Sequence, residues 1–428
     1  MEFIVTLVIF LITYAIIVSE KINRSVIVMV GGLLIVALGI LSWDKAIREY
    51  VDWNTIFLLI GMMITVSIAG RSGMFEYVGV KLAKVCKGKP LAIAMAWGVL
   101  TAFVSMFLDN VTAILLLAPI TLSITHKLKI SPYPFLLIQV FLSNIGGTAT
   151  IVGDPPNIMI SQQVGFGFVE FAKVMLPLVL IIIVVSLVIC RIMFKKNLSV
   201  FTQEAIDEVM KMDEKEFIKD RKLMNISIVV IIVLIAGFIF GEHIGISPAL
   251  LSILTAFTML LFASLKSEEI IEAAYTSVDW TSIFFFMGLF ILTGALEEVG
   301  VLKIIATFII DITNGDLTKA YTAIMWFSAV LSGFIDNIPF VSTMIPVLKD
   351  VVPEYGANAD VLWYALAAGA CLGGNLTILG ASANVIAVGI AKKDGIQISY
   401  LDFLKKGFFI TIFSIVISYI YLYIYFLL

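Results

Sequence analysis

Apolar runs separated by short polar segments follow one another along nearly the whole chain. Runs long enough to cross a bilayer, which takes about 20 residues, begin near Phe3, Ser25, Thr55, Ser131, Phe171, Met224, Ile246, Ser282, Val361 and Phe403. The first run lacks the basic start and the small-residue cleavage site of a secretory signal, so we expect it to remain as a helix. The pattern predicts an all-α polytopic membrane protein with about ten transmembrane helices.

Two further apolar segments turn around an Asp-Asn dipeptide, residues 90–125 around Asp109 and residues 320–348 around Asp336. Each is either two full spans joined by a loop or a re-entrant hairpin with its tip inside the membrane. With re-entrant hairpins, 22 of the 28 Lys and Arg residues, among them Lys21 and Lys266, lie inside. Those left outside are Lys45, Arg48, Lys173, Lys303, Lys319 and Lys349. This asymmetry follows the positive-inside rule and favours the hairpins.

The chain repeats itself at a spacing of 227 residues. FLDN at residues 107–110 recurs as FIDN at residues 334–337, and VDW at residues 51–53 recurs at residues 278–280. Five spans per repeat is an odd number, so the second repeat must enter the membrane inverted relative to the first. Both chain termini should then be extracytoplasmic, and we expect a multi-pass protein of the plasma membrane.

This topology divides the chain into three parts. Residues 1–197 form the first inverted repeat, whose hairpin opens to the cytoplasm. Residues 198–222 form a polar cytoplasmic linker, and residues 223–428 form the second repeat, whose hairpin opens outward. The two hairpin tips should therefore approach each other near the midplane, where binding sites of such transporters lie.

Composition supports a membrane protein and excludes a water-soluble fold. Hydrophobic residues make up 61% of the chain, charged residues only 14%, and the mean hydropathy is +1.09. The net charge of -3 gives no reason to expect a nucleic-acid partner. The three cysteines, Cys86, Cys190 and Cys371, are too scattered for a disulfide framework.

Two interruptions inside apolar runs predict unwound helices. Residues 146–157 (GGTATIVGDPPN) place two glycines, two prolines and Asp154 where an unbroken helix would not tolerate them cheaply. Residues 373–384 (GGNLTILGASAN) keep the glycines and the asparagine but have Ala-Ser-Ala instead of Asp-Pro-Pro. Non-helical backbone at membrane depth indicates a cavity nearby. We interpret the following residues as the scaffold of the breaks: Gly146, Gly147, Gly153, Pro155, Pro156, Gly373, Gly374 and Gly380.

Asp109, Asp154 and Asp336 are the only acidic residues predicted to lie far from both interfaces, and no Lys or Arg is predicted at their depth. Each ionised carboxylate near the bilayer centre costs about 2.5 to 3.5 kcal/mol, so all three need protons or a bound cation. We expect Asp109 and Asp336 to exchange protons for a solute as the site alternates between the two faces. Asp154, whose repeat counterpart is Ala381, is expected to set the stoichiometry.

The predicted residues for binding and proton coupling are Asp109, Asn110, Thr112, Asp154, Asn157, Asp336, Asn337, Ser382 and Asn384. Hard oxygen ligands for Na+ could come from Asp109, Thr148, Thr150, Asp336 and Thr377. No catalytic residue is expected.

Structural interpretations of the same residues stay open. The hairpin aspartates are also suited to cap the helices that follow them, and the first break could be a kink without ligand contact. Asp52 and Asp279 are expected to begin spans at the membrane interface, beside the anchoring indoles of the tryptophans that follow them. Cys371 is either a packing residue or a ligand of a thiophilic solute.

At these motifs the chain resembles the Ion Transporter superfamily, in the branch of the arsenite-efflux permeases, the NhaD-type sodium/proton antiporters and the P protein. The resemblance rests on Asp109-Asn110 with residues 153–157, and on Asp336-Asn337 with residues 380–384. It implies a site built from hairpin tips and unwound loops, an elevator-type motion and a homodimeric scaffold. Relatives that carry citrate or dicarboxylates typically have Ser-Asn-Thr at the tips. Aspartates there disfavour an anionic substrate.

We therefore predict a secondary active transporter, not an enzyme, that exports arsenite, antimonite or sodium in exchange for protons. The alternative is a sodium-coupled citrate or dicarboxylate transporter. Expected partners are a small inorganic solute, the lipid bilayer, a second copy of the chain and, for an arsenite pump, an ATPase. No cofactor is expected besides the coupling ion, H+ or Na+.

Two more distant alternatives are a passive channel, because broken helices also line channels, and an intramembrane aspartyl protease. Gly153-Asp154 partly resembles a protease Gly-x-Gly-Asp signature, but Ile151 occupies the place of its first glycine.

Overall fold

The computed structural model describes residues 2–19, 22–199, 202–265, 268–356 and 358–428, and every regular element within them is helical. Lys21 and Lys266, which entered the charge asymmetry, lie outside the described residues, as do residues 200 and 201 of the predicted linker.

The first repeat contains ten α-helices in the described residues. They are α1 (Glu2–Ser19), α2 (Arg24–Ala37), α3 (Trp43–Lys45), α4 (Trp53–Arg71), α5 (Met74–Val85), α6 (Pro90–Phe107), α7 (Asn110–Lys127), α8 (Tyr133–Gly147), α9 (Pro155–Val164) and α10 (Phe168–Phe194). A π-helical turn, Ala46–Tyr50, follows α3. The linker contributes α11 (Gln203–Lys211) and a 3₁₀ turn, Glu214–Phe217.

The second repeat follows the same order. Its helices are α12 (Arg221–Phe240), α13 (Pro248–Ser264), α14 (Glu268–Thr276), α15 (Trp280–Glu298), α16 (Val301–Thr313), α17 (Leu317–Phe334), α18 (Asn337–Val351), α19 (Val361–Gly373), α20 (Ser382–Lys393) and α21 (Tyr400–Leu427). Short 3₁₀ turns lie at Gly241–Ile244, Val352–Tyr355 and Ile378–Gly380.

The ten predicted spans are all present as helices. Among the described residues, six helices are long and apolar enough to cross a membrane: α4, α6, α10, α12, α15 and α21. Five of these are predicted spans, and α6 is the first arm of the first hairpin. The other five predicted spans, α1, α2, α8, α13 and α19, are shorter apolar helices. Of these, α8 and α19 are the interrupted spans, and they resume after their breaks as α9 and α20.

Helices of the two repeats pack against each other through glycine. Helix α4 of the first repeat packs on α13 of the second repeat. Helix α15 of the second repeat packs on α2 of the first repeat. A Cβ atom at Gly61 would lie 2.6 Å from the Ser252 carbonyl oxygen, and one at its counterpart Gly288 would lie 2.9 Å from Met29 Cα. Small residues allow this close approach of helix backbones. We call α1, α2, α4, α12, α13 and α15 the scaffold.

Each hairpin packs on the interrupted helix of its own repeat, α6 on α8 and α17 on α19. The contact again needs glycine: a Cβ at Gly146 would lie 2.6 Å from Ala102 Cα, and one at Gly373 would lie 2.8 Å from Ala329 Cα. We call α6–α9 and α17–α20, with the turns that join them, the two hairpin units; the sequence repeat relates them. The glycines interpreted as scaffold of the breaks therefore lie where the hairpin backbone crosses.

Two amphipathic helices, α5 and α16, were not among the predicted elements. Each follows a scaffold helix after a glycine with positive φ, +81° at Gly73 and +80° at Gly300, a conformation that glycine adopts readily. The linker lies across α5: Lys219 N–H donates to the Ser72 carbonyl at 3.0 Å, and the Lys84 ammonium contacts Glu214 at 2.6 Å. We call residues 212–220 the strap.

Candidate ion-binding site

Both hairpin tips place an aspartate at the N-cap of the second arm. Asp109 precedes α7, and its carboxylate accepts hydrogen bonds from the Thr112 backbone N–H at 2.9 Å and from the Thr112 hydroxyl. Asp336 precedes α18 and accepts from the Ile338 N–H at 3.1 Å. The capping interpretation therefore applies to both residues. The capping hydrogen bonds use only some of the acceptor sites of each carboxylate. The remaining contacts of the two carboxylates differ between the repeats.

Each break in the interrupted helices is held by the asparagine at its end. Asn157 donates from its amide to the carbonyls of Gly147 at 3.1 Å and Thr150 at 3.0 Å. Its counterpart Asn384 donates to the equivalent carbonyls of Gly374 and Thr377, both at 2.8 Å. Unwound carbonyls in a membrane need such partners. Both asparagines, which were predicted as ligands, thus use their amide N–H groups to bind backbone carbonyls.

Two buried amides that sequence reasoning did not select connect the repeats. Asn144 donates from Nδ2 to Oδ1 of Asn375 and to Oδ1 of Asn384, both at 2.9 Å. Its own Oδ1 accepts from Asn110 of the first hairpin tip at 3.1 Å. Asn144 and Asn375 are both fully buried. Their signal in the sequence is a carboxamide within or directly after an apolar run, beside the paired glycines.

Three carboxylates line one small cavity between the repeats. Asp109 and Asp154 are only 6% and 1% exposed, and Asp279 is half-buried. The cavity of about 30 Å³ has room for about two water molecules. Its other lining residues are Leu59, Met63, Asn110, Val111, Pro155, Ser282, Phe286, Asn337, Ile338 and Ser382. No Lys or Arg occurs among these lining residues of the described chain.

Asp154 joins the first break to the second hairpin tip. It stands at the N-cap position of α9 but makes no capping hydrogen bond. Instead its two carboxylate oxygens accept from the Asn337 amide at 3.1 and 3.3 Å. The resemblance paired each hairpin tip with the unwound loop of its own repeat, whereas this contact joins the loop of the first repeat to the tip of the second.

Asp279 is a cavity residue that the sequence analysis assigned to the membrane interface. It does begin α15, and it accepts from the Ser282 N–H at 3.2 Å and the Ser282 hydroxyl at 2.5 Å. However, the start of α15 faces the cavity rather than only the interface. Its counterpart Asp52 caps α4 in the same way but lines a different pocket, of about 270 Å³. Nothing in the local sequence separates the two aspartates.

The expectation that no basic residue shares the depth of the three aspartates is wrong for Asp336. Arg24 Nη1 lies 2.7 Å from Asp336 Oδ2, and the Ser382 hydroxyl donates to the same oxygen at 2.7 Å. Arg24 is the first residue of α2, and its guanidinium lies 5.0 Å from the centre of the Phe285 ring. A long side chain at a helix end can carry its charge this far. Asp336 lines a separate pocket, of about 210 Å³, together with Arg24.

The five predicted sodium ligands are not brought together. The hydroxyls of Thr148, Thr150 and Thr377 donate to backbone carbonyls, of Asn144 at 2.8 Å, of Met106, and of Gly333 at 2.6 Å. None of these threonines lines the carboxylate cavity, and neither does Asp336.

Cys371 occupies the position in the second repeat that Asn144 has in the first. The thiol is fully buried and donates to Asn157 Oδ1 at 3.4 Å. This contact mirrors the Asn144–Asn384 hydrogen bond. Cys371 therefore contacts the first break directly. An asparagine at this position would make the amide network symmetric between the repeats.

Comparisons with known proteins agree with this architecture. The sequence model of the family described as citrate transporter (CitMHS) matches residues 14–369. An uncharacterized transporter of Mycobacterium bovis is 38% identical over 426 residues, which cover 98% of this chain and 97% of that protein. A 46 kDa membrane protein of Mycobacterium leprae is 37% identical and covers 98% of each chain.

More distant similarity extends to a human protein and to a solved structure. The human P protein is 29% identical over 492 residues, which cover 96% of this chain and 58% of that protein. The YdaH transporter of Alcanivorax borkumensis has a similar fold, with a TM-score of 0.58 and 11% identity over 92% of this chain and 88% of that chain. The chain belongs to the citrate transporter family of the Ion Transporter superfamily, and it is a membrane transporter.

Proposed function

We propose that this transporter exchanges protons for a small inorganic solute, sodium or arsenite, at the carboxylate cavity between its repeats. The observation that carries the proposal is the lining of that cavity by Asp109, Asp154 and Asp279, with no Lys or Arg among the described lining residues. Ionised carboxylates around so small a space repel one another, and a bound proton or cation offsets this repulsion.

Asp109 and Asp154 are the carriers that we propose for the conformation described here. Both are buried, and both belong to the hairpin units rather than to the scaffold. Asp279 approaches the same cavity from the scaffold helix α15. A cation in the cavity would therefore be shared between the two parts, which suits an elevator-type motion of the hairpin units against the scaffold. We propose that the scaffold forms a homodimer in the plasma membrane.

The size of the cavity also favours a small solute. A space of about 30 Å³ admits a dehydrated ion or about two water molecules but not a tricarboxylate. The carboxylates would repel such an anion in any case.

Sodium-coupled citrate or dicarboxylate transport is the second candidate, and one specific observation favours it. The Arg24 guanidinium borders the pocket of about 210 Å³ beside the second hairpin tip, and guanidinium groups bind carboxylates well. In this conformation, however, that guanidinium already forms an ion pair with Asp336.

The decisive experiment uses proteoliposomes with an acidic interior. Internal pH is recorded while sodium, arsenite or citrate is added outside, for the parent, Asp109→Asn and Asp154→Asn. We expect an alkaline jump with sodium or arsenite that disappears in both variants. The matched control is Asp316→Asn, because Asp316 is an exposed cap of α17 and asparagine caps equally well. No jump with either solute would refute proton exchange, and sodium-dependent citrate accumulation would establish the second candidate.

A further inference from the structure

The two hairpin tips carry the same Asp-Asn pair in different surroundings. Around Asp109 the partner is Thr112, whose N–H and hydroxyl both donate to the carboxylate. The counterpart of Thr112 in the second repeat is Pro339, which can donate neither hydrogen bond. Asp336 therefore lacks the local partner that satisfies Asp109.

Other residues replace that partner at Asp336. Ser382, where the first repeat has Pro155, donates its hydroxyl to Oδ2 at 2.7 Å. Arg24 supplies a full positive charge to the same oxygen at 2.7 Å. The counterpart of Arg24 is Leu251, which is buried and lies against Gly237 of α12. Among the described residues, no Lys or Arg forms an ion pair with the tip of the first repeat, whereas Arg24 does so at the tip of the second.

The ion pair crosses the boundary between the scaffold and a hairpin unit. Arg24 belongs to α2 and Asp336 to the second hairpin. Tyr14 of α1 crosses the same boundary, with its hydroxyl 2.9 Å from the Pro339 carbonyl and 3.1 Å from the Thr343 hydroxyl. A displacement of this hairpin beyond the reach of the Arg24 side chain separates Arg24 from Asp336. A carboxylate that leaves a cation inside a membrane requires another.

We propose that Arg24 is a tethered cation that competes with the soluble coupling cation for Asp336. While the second hairpin is docked on α1 and α2, as here, the guanidinium holds the carboxylate. When the hairpin moves away, Asp336 takes a cation from solution, and renewed docking on Arg24 displaces that cation. Arg24 is thus a positioning residue that drives cation release. The inference rests on the proposed function for the existence of a coupling cation.

The kinetic test uses Na+ as the probe in sodium–proton exchange by proteoliposomes. Without the competing guanidinium, Asp336 should retain Na+, so Arg24→Gln is expected to lower the KM for Na+ about tenfold and to lower turnover by a similar factor. Arg24→Lys keeps the charge and should stay close to the parent. An unchanged KM in Arg24→Gln, or the same change in Arg24→Lys, would overturn the proposal. A purely structural role of Arg24 would lower turnover without lowering the KM for Na+.

A second measurement needs no transported ion. Spin labels on an exposed residue of α17, such as Phe327, and of scaffold helix α4, such as Phe57, report the distance between hairpin and scaffold. Arg24→Gln should reduce the docked population, and Arg24→Gln/Asp336→Asn should recover part of it. Identical distance distributions in the parent and Arg24→Gln would overturn the proposal even if the parent exchanges no sodium. Sodium-coupled transport without proton exchange in the parent, with a shifted distribution in Arg24→Gln, would refute the proposed function alone.

The double variant also covers a failure to fold. Arg24→Gln leaves the Asp336 carboxylate, whose side chain is 12% exposed, without its cation, whereas Arg24→Gln/Asp336→Asn removes both charges. If only the single variant fails to fold, the docked state needs Arg24 to neutralise Asp336, which is the premise of the proposal. If the double variant fails as well, Arg24 acts by packing on Phe285, and the proposal is wrong.

Discussion

Asn144 of the first repeat and Asn384 of the second are joined by a hydrogen bond of 2.9 Å between their buried amides. Asn384 also holds the unwound carbonyls of its own break. Asn144 therefore ties the first interrupted helix to the break of the second. The geometry of the carboxylate cavity depends on this link, because Asn110 of the first hairpin tip hydrogen-bonds Asn144 as well.

Replacement of Asn144 should destabilise the protein. Asn144→Ala leaves the amide oxygens of Asn375 and Asn384 and the Asn110 amide without their partner. An unsatisfied buried polar group costs about 1 to 3 kcal/mol, so we expect a loss in that range and a clearly lower Tm in detergent. The matched control is Cys371→Ala at the equivalent position, because a thiol is a weak donor. Equal Tm losses in both variants would show that the amide network is not the cause.

The sequence predicts the architecture well because two physical signals are strong in it. Apolar runs must be about 20 residues long to cross a bilayer, and the repeat fixes which elements correspond. Asp109 and Asp154 were also predicted, since a carboxylate in an apolar run is rare and costly. Both lie at the same cavity, and their roles in binding and proton coupling stay predictions.

Arg24 and Asp279 show what the sequence does not reveal. Both lie at the first positions of predicted spans, where charged residues ordinarily meet water. Only the packing of α2 on α15 decides that their side chains reach the hairpin tips instead. For Arg24 the repeat offers one clue, because its counterpart is the apolar Leu251. A residue whose counterpart in the other repeat has different chemistry is a candidate for a function that only one repeat performs.

A methyl group at the hairpin crossing should weaken the fold. Gly146→Ala would put its Cβ 2.6 Å from Ala102 Cα, and backbone cannot yield as a flexible side chain does. Overpacking costs about 1 to 3 kcal/mol, so we expect a lower Tm. Gly389→Ala in α20 is the control, because no described atom beyond its chain neighbours and the adjacent backbone of its own helix lies within 4 Å of the added Cβ, and alanine favours a helix by about 0.5 to 1 kcal/mol. A tolerated Gly146→Ala would mean that α6 can move away from α8.

The strap should detach from α5 at acidic pH. The hydrogen bond from the Lys84 ammonium lowers the pKa of Glu214 below its ordinary value. A lowered pKa in the folded state stabilises the contact above the unfolded value, about 4.3, and this stabilisation is lost as the pH falls through the folded pKa. We expect limited proteolysis at residues 212–220 to accelerate below about pH 4. Lys84→Gln should show the faster cleavage already at pH 7. Equal cleavage of Lys84→Gln and the parent at both pH values would contradict the prediction.

Neutralising Asp154 should separate transport from stability. The carboxylate is 1% exposed, makes no capping hydrogen bond, and accepts from the Asn337 amide at 3.1 Å. Asp154→Asn keeps the shape but removes a charge whose burial costs about 2.5 to 3.5 kcal/mol. We expect a Tm equal to or above that of the parent, together with at least a hundredfold loss of proton-coupled flux. A parallel fall in Tm and flux would instead identify Asp154 as a structural residue, because a carrier of the coupling proton has no need to stabilise the empty site.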